Sequence, residues 1–164
     1  MNNIIEDIQN KLIAEVPALK YIDQDWGQMD FYPNPPVKFP CALIDIQSAE
    51  YSDEGKLIQQ GDAVIVIRLF DMKLSNSSNA APQSQKENAK KIWTLLKDVN
   101  KALHGQYFLD NGKGRPMRKS MRRAKRNDGC YQTELYYSVH FTDNSCVPVY
   151  YETTAEAQIT VTLL

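Results

Sequence analysis

Apolar residues recur at helical spacing from the start of the chain. Ile4, Ile5, Ile8, Leu12 and Ile13 share one side, and Glu6, Asp7, Gln9, Asn10 and Lys11 take the other. This pattern predicts an amphipathic helix over 3–15, ended by Pro17. Tyr21-Ile22 reads as a short strand, and the prolines of Tyr32-Pro33-Asn34-Pro35-Pro36 impose irregular backbone. A strand is expected over 41–46, with Ser52-Asp53-Glu54-Gly55 as a turn. Residues 61–71 alternate Ala63, Ile65, Ile67, Leu69 with Val64, Val66, Arg68, Phe70. Both sets are largely apolar, which places this strand centrally with cover on both faces.

From 72 to 82 the chain turns small and polar, as a flexible loop does. A long helix follows over 84–103, with a buried stripe of Ile92, Leu95, Leu96, Val99 and Leu103. Lys86, Lys90, Lys91, Lys97 and Lys101 form its wet side, and Gly105 stops it. Such a helix is ~30 Å long, enough to cross a sheet. Residues 106–109 are expected as a short strand, and 111–116 as a loop. Segments 117–126 and 130–142 then read as a hairpin turning at Asn127-Asp128-Gly129. Its second arm sets Tyr131, Thr133, Leu135, Tyr137, Val139 and Phe141 on a covered face and Gln132, Glu134, Tyr136, Ser138 and His140 on a wet one. Residues 147–151 and 158–164 also suggest strands. The order of elements indicates an α+β domain over 1–145, a mainly antiparallel sheet with two helices packed on one face, and a C-terminal extension over 146–164.

Composition narrows the function classes. With 164 residues, 43% hydrophobic and 24% charged, the chain has the makeup of one ordinary globular domain. Three cysteines, Cys41, Cys130 and Cys146, are far apart and have no zinc-ligand spacing, so free thiols and a reducing compartment are expected. The acidic Glu6 and Asp7 do not suit a signal peptide, and the longest apolar run, 63–67, is far short of the ~20 residues that span a bilayer. No membrane partner is expected. The formal net charge of −1 hides an asymmetry. Between Lys113 and Arg126 lie eight basic residues and no acid, leaving eleven bases against all twenty acids elsewhere.

Motifs that carry chemistry are few in this chain. His104 at the end of the long helix suits a cationic cap, and His140 is a lone surface histidine. No Gly-x-Ser-x-Gly elbow is present, and Asn111-Gly112-Lys113-Gly114 precedes a proline and a strand, not a helix as a phosphate loop requires. Cys130 lies near bases that would lower its pKa, with no base beside it in sequence to activate it. Trp26 and Trp93 read as packing residues. No enzyme activity, cofactor or metal is expected. The anomaly is the basic arm. Arg118, Lys119, Arg122, Arg123, Lys125 and Arg126 fall on both faces of an extended strand, which must lie at a wet edge, project, or meet another subunit. Three readings stay open: a solvated arm serving solubility, an ion-pair arm between subunits, or a phosphate-contacting surface.

Taken together, these features resemble the tail terminator and tail-completion proteins of long-tailed bacteriophages, the minor tail protein U type. The residues that carry the likeness are the opening helix, the Pro-rich approach to Phe39-Pro40-Cys41-Ala42-Leu43-Ile44, and the strand Ala63-Val64-Ile65-Val66-Ile67-Arg68-Leu69-Phe70. To these add the helix ending Lys101-Ala102-Leu103-His104-Gly105-Gln106 and the aromatic return strand 131–141. The resemblance implies a subunit that assembles as a ring, usually a hexamer, in the virion neck after assembly in the host bacterial cytoplasm. Such a ring caps the tail tube protein, ends tube growth and joins the head connector protein, with DNA passing through its lumen. The basic residues Arg118 to Arg126 then become candidates for subunit contacts or the lumen. Lys73, Ser75, Asn76, Ser77, Ser78 and Asn79 become a candidate docking loop. The alternatives are a head–tail connector or stopper, a nucleic-acid-binding module using the basic arm, and a small enzyme.

Overall fold

A computed structural model describes residues 2–31, 33–72, 77–109 and 113–148. In chain order these form α1 (Asn2–Glu15), β1 (Tyr21–Gln24), a 3-10 turn at Gln28–Asp30, β2 (Cys41–Asp53), β3 (Gln59–Met72), α2 (Gln83–Leu103), β4 (Met117–Ala124) and β5 (Cys130–Asp143). The five strands make one sheet in the order β1-β2-β3-β5-β4. Only β1 and β2 run parallel; every other neighbouring pair is antiparallel. The fold is α+β, with both helices on one face of a mostly antiparallel sheet.

Why both helices choose that face follows from the side-chain pattern. Ala63, Ile65, Ile67 and Leu69 of β3 join Ala42 and Ile44 of β2 and Leu135, Tyr137, Val139 and Phe141 of β5. Onto this surface pack Ile4, Ile8 and Leu12 of α1 and Ile92, Leu95, Leu96, Val99 and Leu103 of α2. Removal of that apolar area from water is the main drive that fixes the helices. The apolar stripe of α2 is buried in full.

The opposite face of β3 is covered at one end only. Phe70 packs there with Cys41, Leu43, Cys130 and Met29, the last brought over by the irregular 25–40 segment. Gly27 starts that crossing in the left-handed region, at φ 92, where its N–H donates to Asp25 Oδ1 at 3.1 Å. Gly129, at φ 75, turns the β4–β5 hairpin.

Several expectations need correction. The strand from Cys41 continues through the expected turn to Asp53, and the chain reverses over 54–58 instead. Residues 106–109 form no strand. The expected wet face of β5 is closed along its first half, where Gln132 and Glu134 are buried. At the start of the C-terminal extension, the Val147 N–H closes a turn on the Asn144 carbonyl at 2.9 Å. The strands expected over 147–151 and 158–164 otherwise fall on residues 149–164, outside the described residues, as do Asn111 and Gly112 of the expected loop.

Where β3 passes under Phe141, Gly61 leaves room for the ring. A Cβ on Gly61 would lie 2.3 Å from Cζ of that ring. Gly61→Ala should therefore destabilise the fold by about 2 kcal/mol through overpacking. In urea unfolding, Phe141→Leu in the Gly61→Ala background should recover part of that loss.

Candidate functional site

The basic arm is β4, the edge strand of the sheet, and it is exposed along nearly its whole length. The end of α2 holds its start in place. Gly105, at φ 70, lets the chain leave the helix, and its N–H donates to the Pro116 carbonyl at 2.8 Å. The Arg118 N–H donates to Nδ1 of His104 at 3.0 Å. His104 is the C-cap residue of α2, and through this bond its ring also fixes the start of β4. Arg115 stacks on Tyr107, 3.6 Å from the ring centroid. A β-bulge between Arg118 and Ser120 falls at Lys119 and twists the edge.

Four of the six candidate cations, Arg118, Lys119, Arg122 and Arg123, lie on β4, whereas Lys125 and Arg126, expected on the same strand, follow its end at Ala124, where the chain turns into the hairpin. Arg126 is an anchor: its guanidinium pairs with Asp128 at 2.6 Å and donates to the Met29 carbonyl at 3.1 Å. The Arg126 hydrogen bond holds the Asp128 carboxyl below its usual range. Arg123 lies 4.1 Å from the Tyr131 ring centroid. Arg122 donates to Glu134 at 3.1 Å while most of its side chain remains in solvent. Arg118, Lys119 and Lys125 are exposed and make no ion pair among the described residues.

Behind this edge runs a row of charges not foreseen from the sequence. Asp45 on β2, Arg68 on β3, Glu134 on β5 and Arg122 on β4 follow one another across the face opposite the helices. Arg68 Nη1 meets Asp45 at 3.2 Å and also pairs with Asp25, while Arg68 Nε lies 3.8 Å from Glu134. Gln132 Nε2 and the Tyr136 hydroxyl donate to Glu134 at 3.1 and 2.8 Å. Burial works against the charge on Arg68, and its hydrogen bonds to Asp25 and Asp45 outweigh that and raise its pKa. Beside this row, burial opposes the charge on Asp23, yet bonds from Tyr21, the Gln24 N–H, Trp26 and Gln28 lower its pKa. The available signal was the single arginine within the apolar face of β3.

Elsewhere the candidate residues scatter. Lys73, Ser75 and Asn76 of the docking loop lie outside the described residues. Ser77 borders a cleft of about 440 Å³ with Asp71, Trp93, Arg123 and Tyr131. The Ser78 carbonyl accepts from the Ala81 N–H at 3.1 Å, and the Asn79 carbonyl from Lys86 at 2.6 Å. Trp26 and Trp93, expected as packing residues, are 54% and 55% exposed, Trp26 standing edge-on to Phe31. His140 is exposed beside Asp62 at 3.0 Å. Among the described residues, no group of three or more His, Cys, Asp and Glu could hold a metal ion, and no helix is long and apolar enough to cross a membrane.

Cys130 departs from expectation in the opposite direction to the one its basic neighbours suggest. Burial, reinforced by Asp128, pushes its thiol up to about 11, and burial pushes Cys41 up to about 12.

No protein-family model matches this chain, and no curated protein sequence matches it. Among solved structures, it is similar to a chain of the virion of the native gene transfer agent (GTA) particle. That match has a TM-score of 0.52 and 12% identity, and covers 87% of this chain and 96% of that one. At this identity the likeness is one of fold.

Three outcomes follow. Arg68→Met strands Asp25, Asp45 and Glu134 together and should cost about 3 kcal/mol in chemical denaturation. Arg122→Met, at an exposed position, should cost below about 1 kcal/mol. In a thiol-alkylation time course at neutral pH, exposed Cys146 should react in the folded protein, and Cys41 and Cys130 only after denaturant is added.

Proposed function

We propose that this chain is a structural component of a phage-like virion and, within that class, a tail terminator. Copies assemble as a ring, most simply a hexamer, on the end of the tail tube. There the ring stops tube polymerisation and presents a surface to the head connector. The protein acts by shape and self-association and transforms no substrate. It belongs to the virion neck and is assembled in the host cytoplasm.

The observation that carries this reading is the near-complete overlap of the fold with a virion chain, 87% of this protein and 96% of the other. A match that covers most of both chains supports a shared architectural role better than a local motif would. The exposed basic edge adds support, because a charged strand with no covering element suits a subunit boundary. The order of elements and the Phe39-Pro40-Cys41-Ala42-Leu43-Ile44 approach, which resemble the tail terminators, select the finer role.

The test is reconstitution. Purified protein is sedimented over a range of concentrations and then mixed with purified tail tubes for electron microscopy. Rings in solution or on tube ends, with tubes that no longer elongate, are the expected result. A species that remains monomeric at every concentration and leaves tube ends bare and growing would exclude the role.

A further inference from the structure

The sheet has two open edges of opposite charge. On one side stands β4 with Arg118, Lys119, Arg122 and Arg123. On the other, β1 pairs with β2 only over Cys41 to Ile44. From Asp45 to Asp53 the outer side of β2 has no strand partner among the described residues, and this stretch carries Asp45, Glu50 and Asp53 with no base. Glu50 and Asp53 are exposed. Each edge also bears one bulge, at Gln47 and at Lys119.

We propose that copies of this chain join head to tail, β4 of one copy pairing with the Asp45–Asp53 edge of β2 in the next, so that one sheet continues through the assembly. The proposal rests on the ring reading above and names the interface. Three observations carry it.

First, direction agrees. β2, β3, β5 and β4 alternate antiparallel across the sheet, so β2 and β4 run in opposite senses. A copy translated across the sheet extends the antiparallel ladder without inversion.

Second, the charge row has complementary ends. It begins in the carboxylate of Asp45 and finishes in the guanidinium of Arg122, whose side chain is 70% exposed. Placing the next copy's Asp45 beyond Arg122 continues the alternation of sign. The same antiparallel register brings Arg118 and Lys119 to the stretch around Glu50.

Third, like edges repel. Two copies of β4 facing each other would oppose guanidinium and ammonium groups, and two β2 edges would oppose carboxylates. Only the unlike pairing joins opposite charges, and an unlike pairing is a heterologous contact, the kind from which a ring is built when the rotation between copies closes. The bulges and charges that guard each edge against its own kind are thus compatible with its complement.

The experiment is a charge swap in the full chain, read by sedimentation velocity with unfolding midpoints as the check on folding. R118E/K119E changes exposed residues that make no ion pair among the described residues, and E50K/D53K changes the other edge. Each variant should keep the wild-type midpoint and require at least about tenfold more protein for half-assembly. The four substitutions in one chain should restore assembly. If wild-type rings form and neither single-edge variant shifts the assembly concentration, the interface is wrong while the ring reading stands. The interface is equally overturned if R118E/K119E abolishes retention on immobilised DNA and leaves assembly unchanged, which would assign β4 to phosphate contact. If the wild-type chain never assembles, the ring reading and this interface fall together.

Discussion

Pairing of β3 along both of its sides organises the molecule. It lies against β2 from Gln59 to Phe70 and against β5 from Gln59 to Met72. A strand so enclosed satisfies its backbone groups within the sheet and leaves none for a partner. Unpaired backbone is therefore displaced outward, to β4 on one side and to the later half of β2 on the other. The helices cannot relieve this, because the apolar stripes of α1 and α2 are spent on the sheet face built from Ile65, Ile67, Leu135 and Tyr137. The unpaired backbone of the sheet is thus left at its edges, and the sequence has marked them with opposite charge.

The face opposite the helices is held by a different kind of force. Apolar contact among Met29, Leu43 and Phe70 gives way within a few residues to the Arg68 cluster. A partly buried guanidinium among Asp25, Asp45 and Glu134 is a poor source of net stability, since desolvation offsets much of the attraction. What it provides here is placement. It fastens the 25–40 crossing to the sheet and lines up charges across four strands, so that the two open edges end with unlike signs.

Local periodicity carried much of this architecture. The stripe on α2 and the doubly apolar β3 are set by neighbours three, four or two residues apart, and both are legible from the chain alone. The hairpin is legible for the same reason, and the exposure of β4 follows from its charge on both faces. The Arg68 cluster is not legible, because Asp25 and Asp45 lie 43 and 23 residues from Arg68 and no local pattern links them. Alternation along β5 suggests a wet Glu134 because it reports which side a residue faces, not what lies above it. The role of His104 is hidden because the Arg118 N–H that it accepts comes from a strand beyond the next loop. Trp26 and Trp93 show the limit of residue type as a guide to burial.

The central claim is that opposite edges of one sheet meet between copies. A cryo-electron microscopy reconstruction of the assembled wild-type protein tests it directly, at a resolution that separates strands. Density for β4 is expected about 4.8 Å from the Asp45–Asp53 stretch of the adjoining copy, antiparallel and continuous with the sheet. Subunits meeting through their helical faces, with β4 and the outer side of β2 both lying in solvent, would contradict it.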